Sequence, residues 1–589
     1  MDRDVLIKEA GEYLKKEKNS HFRAEVERLL ASEDWDELLD RFYRKLEFGT
    51  GGLRGVIGGG YNRMNTFVVG SATQGLANYV IKAFPDKARA GRLSAVIAYD
   101  CRHFSAEFAE AAALIFAANG IKAYLFSALR PTPELSYAIR RLKADTGIVV
   151  TASHNPPRYN GYKAYWNDGS QVIEPHDTGI IDEVNAVTEI KEIDRETALK
   201  NGLLKIIDKE VDEPFQDMVR SHLFRPDLIK QKAGGVKIVY TPLHGTGALH
   251  VEAVLGGLGL KVLTVPEQRE GNGDFPTVAF PNPEEAAALE MAIALGKKEK
   301  ASLVMATDPD ADRFGIAVPA RSGEFTLVTG NQLGALMADY ILLSLKELGR
   351  MPAKPAMVNT IVTTGMQARV AALYGAECIE CLTGFKWIAD VMRRSEIGAI
   401  KNSIVFGCEE SYGYLVENEV RDKDGVSAAA ITAEMAIYWD SKGKSLLDRL
   451  EELYEKCGFW QETGVSKYFE GPEGQSIMAG IMERCRQAPP AVLGGIKVEK
   501  IRDIEKSLES YPADPKRSEK IDLPKSNVLQ FCLEDGTVVS ARPSGTEPKI
   551  KFYASCRAAV GPGGLAGAKT EAQKKLDAIK ADIKKMLGD

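Results

Sequence analysis

The sequence predicts an α/β protein that ends in a smaller α+β domain, and three observations predict it. Short apolar runs rich in β-branched residues alternate with longer amphipathic segments, the pattern of buried parallel strands joined by helices. Polar strings follow directly on those runs, where open α/β sheets place their ligand loops, so one shared cleft is expected. Residues 458–589 instead carry hairpin-spaced strands and a closing helix. At roughly 150 residues per domain, 589 residues give about four domains. Hydrophobic residues make up 44% and charged residues 27%, which excludes a disordered, collagenous or disulfide-scaffold chain. A net charge of −6 gives no support to nucleic-acid binding, although a local basic pocket is compatible with it. Eight scattered cysteines fit reduced thiols in a cytoplasmic protein.

Met1-Asp2-Arg3-Asp4 leads into charged, helix-like sequence rather than an apolar signal core. Strands are predicted at residues 93–99, 147–150, 236–240, 302–306, 357–362 and 403–406, with helices at 106–118 and 332–348. The apolar stretch 111–118 ends at Asn119-Gly120 and is far short of the twenty or so residues a membrane span needs, so it reads as a buried helix. In the last domain, strands are predicted at 528–533, 538–541 and 550–554, with a Glu534-Asp535-Gly536 turn and a Lys- and Ala-rich helix after Gly561-Pro562-Gly563-Gly564. No short tandem repeat is visible; three α/β segments of similar size are compatible with distant structural copies.

The most informative string is Thr151-Ala152-Ser153-His154-Asn155-Pro156-Pro157, with Asn160-Gly161-Tyr162-Lys163 behind it. A conformationally limited loop after a strand presents a hydroxyl beside an imidazole, with a lysine ten residues on. Such a hydroxyl can be a nucleophile or phosphate carrier, with His154 or Lys163 moving protons. Alone, a Ser-His pair is ordinary turn chemistry; the full string points to function. Next comes Asp308-Pro309-Asp310-Ala311-Asp312-Arg313, whose alternate carboxylates can converge on a hard cation such as Mg²⁺. An EF-hand would need Gly and Glu where Arg313 and Pro319 stand. An Asp-x-Asp phosphatase would leave the Ser153 loop unexplained. A solvated acidic turn is the bland alternative.

In Gly407-Cys408-Glu409-Glu410-Ser411-Tyr412-Gly413, Glu409 and Ser411 would face one side of an extended loop, suited to vicinal sugar hydroxyls, with Lys423 adding a cation or proton donor. Arg542-Pro543-Ser544-Gly545-Thr546-Glu547-Pro548-Lys549-Ile550-Lys551 combines the donor types that hold a phosphate without covalent chemistry, or else is a polar hairpin connection. Gly49-Thr50-Gly51-Gly52-Leu53-Arg54-Gly55 and His244-Gly245-Thr246-Gly247 lack the ending of a nucleotide P-loop. Cys378 and Cys381 have redox spacing without a second pair, so they are read as structural; no His-x-x-x-His pair suggests a zinc protease.

Together these strings resemble the α-D-phosphohexomutase family, the phosphoglucomutases and phosphomannomutases, most closely its long phosphoglucomutase/phosphopentomutase-like branch. The likeness runs from the 48–55 loop to Tyr553, with the motif blocks in the family's order. It implies three related mixed α/β domains around a central cleft plus a C-terminal α+β domain, divided here as 1–205, 206–325, 326–457 and 458–589. It further implies a phosphoserine at Ser153 and Mg²⁺ held by a phosphate oxygen on Ser153 with Asp308, Asp310 and Asp312. Arg54, His154 and Lys163 would line the reacting phosphate, with Arg313 beside the metal loop and Thr383-Gly384 facing the sugar. Glu409 and Ser411 would bind sugar hydroxyls, and Lys423 would be a further acid or base. Arg542, Ser544, Gly545, Thr546 and, less securely because many relatives have Arg nearby, Lys551 would grip the non-reacting phosphate. The activity implied is interconversion of glucose 1-phosphate and glucose 6-phosphate through glucose 1,6-bisphosphate, which is both intermediate and activator. Phosphopentomutase or phosphomannomutase activity by the same mechanism is the alternative, with a non-catalytic sugar-phosphate-binding protein behind it. The expected partners are small sugar phosphates, with neither nucleic acid nor membrane, in a monomer or homodimer.

Overall fold

The computed structural model describes residues 2–49, 51–469, 474–543 and 549–588. The chain opens with three helices, Arg3–Lys16, Ser20–Ala31 and Trp35–Phe42. Each begins at a side chain that accepts from a free backbone N–H: Asp2, Asn19 and Asp34. Their apolar faces close on Tyr13, Val26, Leu38 and Phe42, with Tyr61 from the loop that follows. The chain, these helices included, divides into two compact units. One comprises Met1–Gly330, Met392–Ala399 and Ser411–Tyr438; the other comprises Asn331–Val391, Ile400–Glu410 and Trp439–Asp589.

The first unit contains two sheets built on one plan. In the six-stranded sheet, Thr146–Val150, Ser94–Tyr99, Lys122–Phe126 and Leu204–Ile207 run parallel. Ile97, Ile148 and Val150 are buried in the core that the helices Thr66–Ala83 and Ser105–Ala118 cover. Tyr159–Trp166 then lies antiparallel beside Thr146–Val150, and Gly52–Val56 antiparallel beside Tyr159–Trp166. The five-stranded sheet repeats this. Lys261–Thr264, Lys237–Thr241 and Leu303–Thr307 are parallel, and Phe314–Pro319 and Phe325–Val328 are added antiparallel.

The parallel strands read from the sequence are therefore present, but their site-side neighbours return antiparallel. The reason is loop length. Residues 151–158 and 308–313 are too few for a crossover connection, which takes a dozen or more. Each loop turns the chain straight back, and both carry predicted site residues.

In the second unit, Glu377–Cys381, Pro355–Thr360 and Ser403–Glu409 are parallel. The strand expected at 357–362 starts earlier and stops at Thr360, where the Thr363 hydroxyl accepts from the Thr360 N–H at 3.3 Å and the chain turns. An antiparallel sheet follows, ordered Phe459–Tyr468, Lys549–Ala558, Val538–Pro543, Leu529–Leu533, Ile496–Asp503, Leu508–Tyr511 and Asp514–Lys520. The closing helix Gly564–Leu587 buries Ala568, Ala572, Leu576, Ile579 and Ile583, a stripe at helical spacing. Ile361, Val362 and Leu382 share a small core with Ile504, Ile521 and Val528. Among the described residues no helix is long and apolar enough to cross a membrane. All eight cysteines are free thiols, Cys378 and Cys381 among them.

Candidate active site

Ser153 stands just beyond the buried strand Thr146–Val150, itself buried and with φ at +52°. A left-handed non-glycine residue costs on the order of 1–3 kcal/mol and persists only where its surroundings over-determine it. Here they do. The Ser153 N–H donates to Thr151 Oγ1 at 2.8 Å, and the Thr151 hydroxyl donates to Asp100 Oδ2 at 2.7 Å. Arg102 then closes the loop from outside. Its Nη2 donates to the carbonyls of Ser153 and Asn155, both at 2.5 Å, and its Nη1 to those of Pro156 and Tyr159 at 2.9 and 3.0 Å. One buried guanidinium thereby satisfies four backbone acceptors of the loop, while its Nε lies 3.3 Å from Asp100 and its face covers Phe275.

The acid loop meets this hydroxyl. Ser153 Oγ donates to Asp308 Oδ2 at 2.8 Å and lies 3.1 Å from His154 Nδ1. Asp308, Asp310 and Asp312 are buried, with carboxylate oxygens within 4.8 Å of one another. Lys163, on the returning strand Tyr159–Trp166, donates to Asp310 Oδ2 at 2.7 Å and to Asp312 Oδ2 at 3.1 Å. Asp310 Oδ2 also accepts from the Thr132 hydroxyl at 2.9 Å. Lys423 reaches Asp312 Oδ2 at 3.3 Å and Asp422 Oδ1 at 3.3 Å, and the buried Tyr165 hydroxyl donates to Asp422 Oδ2 at 2.6 Å. Asp308 Oδ1 accepts from the Arg313 N–H at 2.9 Å.

Two acceptors are left over. Asp310 Oδ1 and Asp312 Oδ1 are buried with no hydrogen-bond partner among the described residues. Orphaned carboxylate oxygens are costly in a protein interior unless a cation meets them, and hard oxygen donors suit a divalent ion. This acidic trio is a candidate metal site.

The electrostatics agree. Burial, then the neighbouring Asp310 and Asp312, raises Asp308 well above the usual carboxylate range. Asp312 is held below it, because Lys163, Lys423 and Arg313 overcome its burial. Lys163 is raised, since Asp310 and Asp312 outweigh burial. Burial, followed by the Arg313 and Arg54 cations, pushes His154 down to about 2, so its ring is neutral. Pairs of opposite charges about 4 Å apart are worth about 4 kcal/mol at an effective dielectric of 20.

The glycine-rich string His244-Gly245-Thr246-Gly247 acts through close approach. A Cβ on Gly245 would stand 2.3 Å from Pro309 Cα, and the Thr246 N–H donates to the Pro309 carbonyl at 2.8 Å. On the other glycine-rich loop, Gly52 has φ at +140° and presses on the Tyr162 carbonyl. That brings Arg54, exposed two residues on, opposite Gly161 and 3.5 Å from Asn155 Oδ1.

Ser153, His154, Lys163, Arg54, Asp308, Asp310, Asp312, Arg313 and Lys423 all belong to the first unit. In the second unit, Thr383 Oγ1 is buried without a hydrogen-bond partner among the described residues and Gly384, at φ +110°, precedes the helix Phe385–Glu396. Arg542 and Lys551 are cross-strand neighbours, while Ser544, Gly545 and Thr546 lie outside the described residues. The extended loop expected around Glu409 and Ser411 is instead a turn. Glu409 ends its strand in the second unit, and residues 410–412, with Tyr412 at φ +62°, turn into the first. Glu410 anchors the start of that turn by accepting from the Thr360 and Thr363 hydroxyls at 3.0 and 3.3 Å.

Sequence reasoning missed Arg102, Thr132, Tyr165 and Asp422. Arg102 stands in a polar string, Asp100-Cys101-Arg102, directly after the strand Ser94–Tyr99, and that placement is a signal. Pro131-Thr132-Pro133 carried none.

Residues 45–191, 213–322 and 329–457 match, in turn, the alpha/beta/alpha domains I, II and III of the phosphoglucomutase/phosphomannomutase family. The chain is 35% identical to a phosphoglucomutase of Staphylococcus aureus, covering 95% of this chain and 96% of that one. It is 34% identical to a phosphopentomutase of Homo sapiens, over 98% and 95%. Among solved structures, the open form of the Paramecium phosphoglucomutase parafusin superposes with a TM-score of 0.69 at 19% identity, covering 93% and 96%.

Proposed function

Given that the chain belongs to the phosphoglucomutase/phosphomannomutase family and is a phosphomutase, an intramolecular phosphotransferase, we propose that it interconverts glucose 1-phosphate and glucose 6-phosphate through a phosphoserine at Ser153. The observation that carries this reading is the Ser153 hydroxyl, 2.8 Å from Asp308, at an acid loop with two unfilled buried oxygens. The Ser153 phosphoryl passes to a free sugar hydroxyl. The seryl P–O bond breaks, a sugar P–O bond forms, and the hydroxyl proton goes to a base of the site. The resulting glucose 1,6-bisphosphate reorients, its other phosphoryl returns to Ser153, and a proton goes back to the departing sugar oxygen. Mg²⁺, held by Asp308, Asp310, Asp312 and the Ser153 phosphate, would neutralise the phosphoryl charge.

The chain's own contribution is positioning and fixed charge, which dominate phosphoryl transfer. Arg102 aims Ser153, while Arg54, Lys163 and Arg313 supply positive charge. His154 holds its Nδ1 3.1 Å from the Ser153 oxygen, and Lys423, poised between Asp312 and Asp422, is our candidate for moving a proton. Thr383, Gly384, Glu409 and Ser411 are assigned to the sugar. Arg542, Ser544, Gly545, Thr546 and Lys551 are assigned to the non-reacting phosphate. The division 1–205, 206–325, 326–457 and 458–589 is proposed for four domains. Eight free thiols support a reducing, cytoplasmic location for a monomer or homodimer acting on small sugar phosphates.

The test is Ser153→Ala. It should abolish steady turnover and incorporate no acid-stable phosphate; near-normal turnover would refute the assigned nucleophile. A second reading keeps the chemistry and changes the sugar to ribose or deoxyribose phosphate, because the identity to the human phosphopentomutase, 34%, is within one percentage point of the 35% to the bacterial phosphoglucomutase. Comparing kcat/KM across glucose, mannose, ribose and deoxyribose 1-phosphates, with and without glucose 1,6-bisphosphate, ranks them.

A further inference from the structure

We propose that Thr132 is the positioning residue that sets the candidate metal loop, by locking one oxygen of Asp310 so that the other is presented to the cation. The inference rests on the metal reading above and extends it to a residue outside the acid loop.

Thr132 grips Asp310 twice. Its N–H donates to the Asp310 carbonyl at 2.9 Å, and its hydroxyl donates to Asp310 Oδ2 at 2.9 Å. With Lys163 at 2.7 Å, Oδ2 receives two donors and Oδ1 none. A carboxylate whose one oxygen is pinned by two donors cannot rotate without breaking them, so the direction of Oδ1 is fixed. Thr132 is itself fully buried at the first turn of the helix Thr132–Leu142. Its N–H is one of the free groups of that turn and is given to Asp310, and the prolines on either side contribute no competing N–H.

The turn that carries Thr132 is braced on both sides. Arg130 donates to both oxygens of Asp212 at 2.8 and 2.9 Å, and Glu134 Oε2 lies 2.7 Å from His250 Nε2. One turn later the Ser136 hydroxyl donates to the Gly169 carbonyl at 2.6 Å. The hydroxyl is thus delivered from a fixed frame, across 178 residues of sequence.

The experiment uses the full chain and Mn²⁺ alone as probe, read by the electron-paramagnetic signal of free ion, alongside the Mg²⁺ activation curve of the mutase reaction. Thr132→Val keeps shape and N–H but removes the hydroxyl. Loss of a hydrogen bond to a charged group is expected to raise the Mn²⁺ Kd about tenfold. The Mg²⁺ activation curve should shift in step, while the KM for sugar phosphate moves less than about twofold. Thr132→Ser, which restores the hydroxyl, should return Mn²⁺ binding toward the parent value. Should the valine variant not fold, Thr132→Ala is the substitute, with the serine rescue unchanged. Asp310→Asn separates the two ideas. If it binds Mn²⁺ like the parent, the metal reading falls. If it loses Mn²⁺ while Thr132→Val does not, only the role of Thr132 is overturned. Equal Mn²⁺ losses in the valine and serine variants overturn it too.

Discussion

One turn of helix in the first unit touches two buried acidic clusters, and they are built to opposite ends. Thr132 donates to Asp310 in the cluster of Asp308, Asp310 and Asp312; Glu134, two residues on, belongs to the cluster of Glu134, Asp212 and His250. Both bring ligand-type atoms within 4.8 Å in the protein interior. In the second, Arg130 occupies both oxygens of Asp212, and the His250 nitrogens face Gln216 and Glu134. Glu134 Oε1 is also without a partner among the described residues, and a proton on it, donated to Asp212, would fill it. In the first, two oxygens have no donor among the described residues. Counting acids does not distinguish a metal site from a structural brace. Counting unfilled acceptors does.

The sharpest way to break that contrast is to neutralise one acid in each. Asp312→Asn removes an unfilled acceptor and a partner of Lys163 and Lys423. Turnover at saturating Mg²⁺ is expected to fall at least ~10³-fold, the scale at which fixed charge acts on phosphoryl transfer. Asp212→Asn leaves Arg130 facing a neutral amide, with Asp208 Oδ1 at 3.1 Å as its remaining carboxylate hydrogen bond. It should lower stability by about 3 kcal/mol while leaving kcat within a few-fold. Steady-state kinetics and urea unfolding of both variants decide it, and an inert Asp312→Asn would erase the distinction.

A smaller effect is expected at Arg102, which holds the Ser153 loop as Thr132 holds the acid loop. A lysine cannot fork onto four carbonyls. Arg102→Lys is expected to cut kcat on the order of 10²-fold with little change in KM, because a displaced nucleophile loses alignment rather than substrate binding. A rise in KM at constant kcat would place Arg102 in substrate binding instead.

The two clusters also show what a sequence discloses. The Ser153 loop and the acid triplet are contiguous strings, so their residue types and their place after strands were legible. The apolar runs that became Ser94–Tyr99, Thr146–Val150, Lys237–Thr241 and Leu303–Thr307 were equally plain, because burial on both faces leaves little choice of residue. The returning strand Tyr159–Trp166 was not, since its glycine, lysine and asparagine answer to the site. Arg102 and Thr132 act on residues 51 to 178 positions away, and Glu134, Asp212 and His250 are three isolated residues. No local pattern records such contacts; only the fold does.

The gentlest test concerns the proton in the closed cluster. Burial, against the pull of His250, raises the Glu134 carboxyl from 4.5 to about 7. Between those values the folded chain keeps a proton that the unfolded chain has released. The stabilisation is therefore complete below about pH 4.5 and is lost as pH rises through about 7. The groups facing Glu134 are Arg130, Asp212 and His250, and of these Asp212 is held low by Arg130. Glu134→Gln copies the protonated form at every pH. Its stability relative to the parent should thus grow from pH 5 to pH 8, by on the order of 1 kcal/mol or more. Urea midpoints across that range measure it. Parallel curves for variant and parent would mean that Glu134 carries no such proton, and that the second cluster, like the first, has an acceptor left to fill.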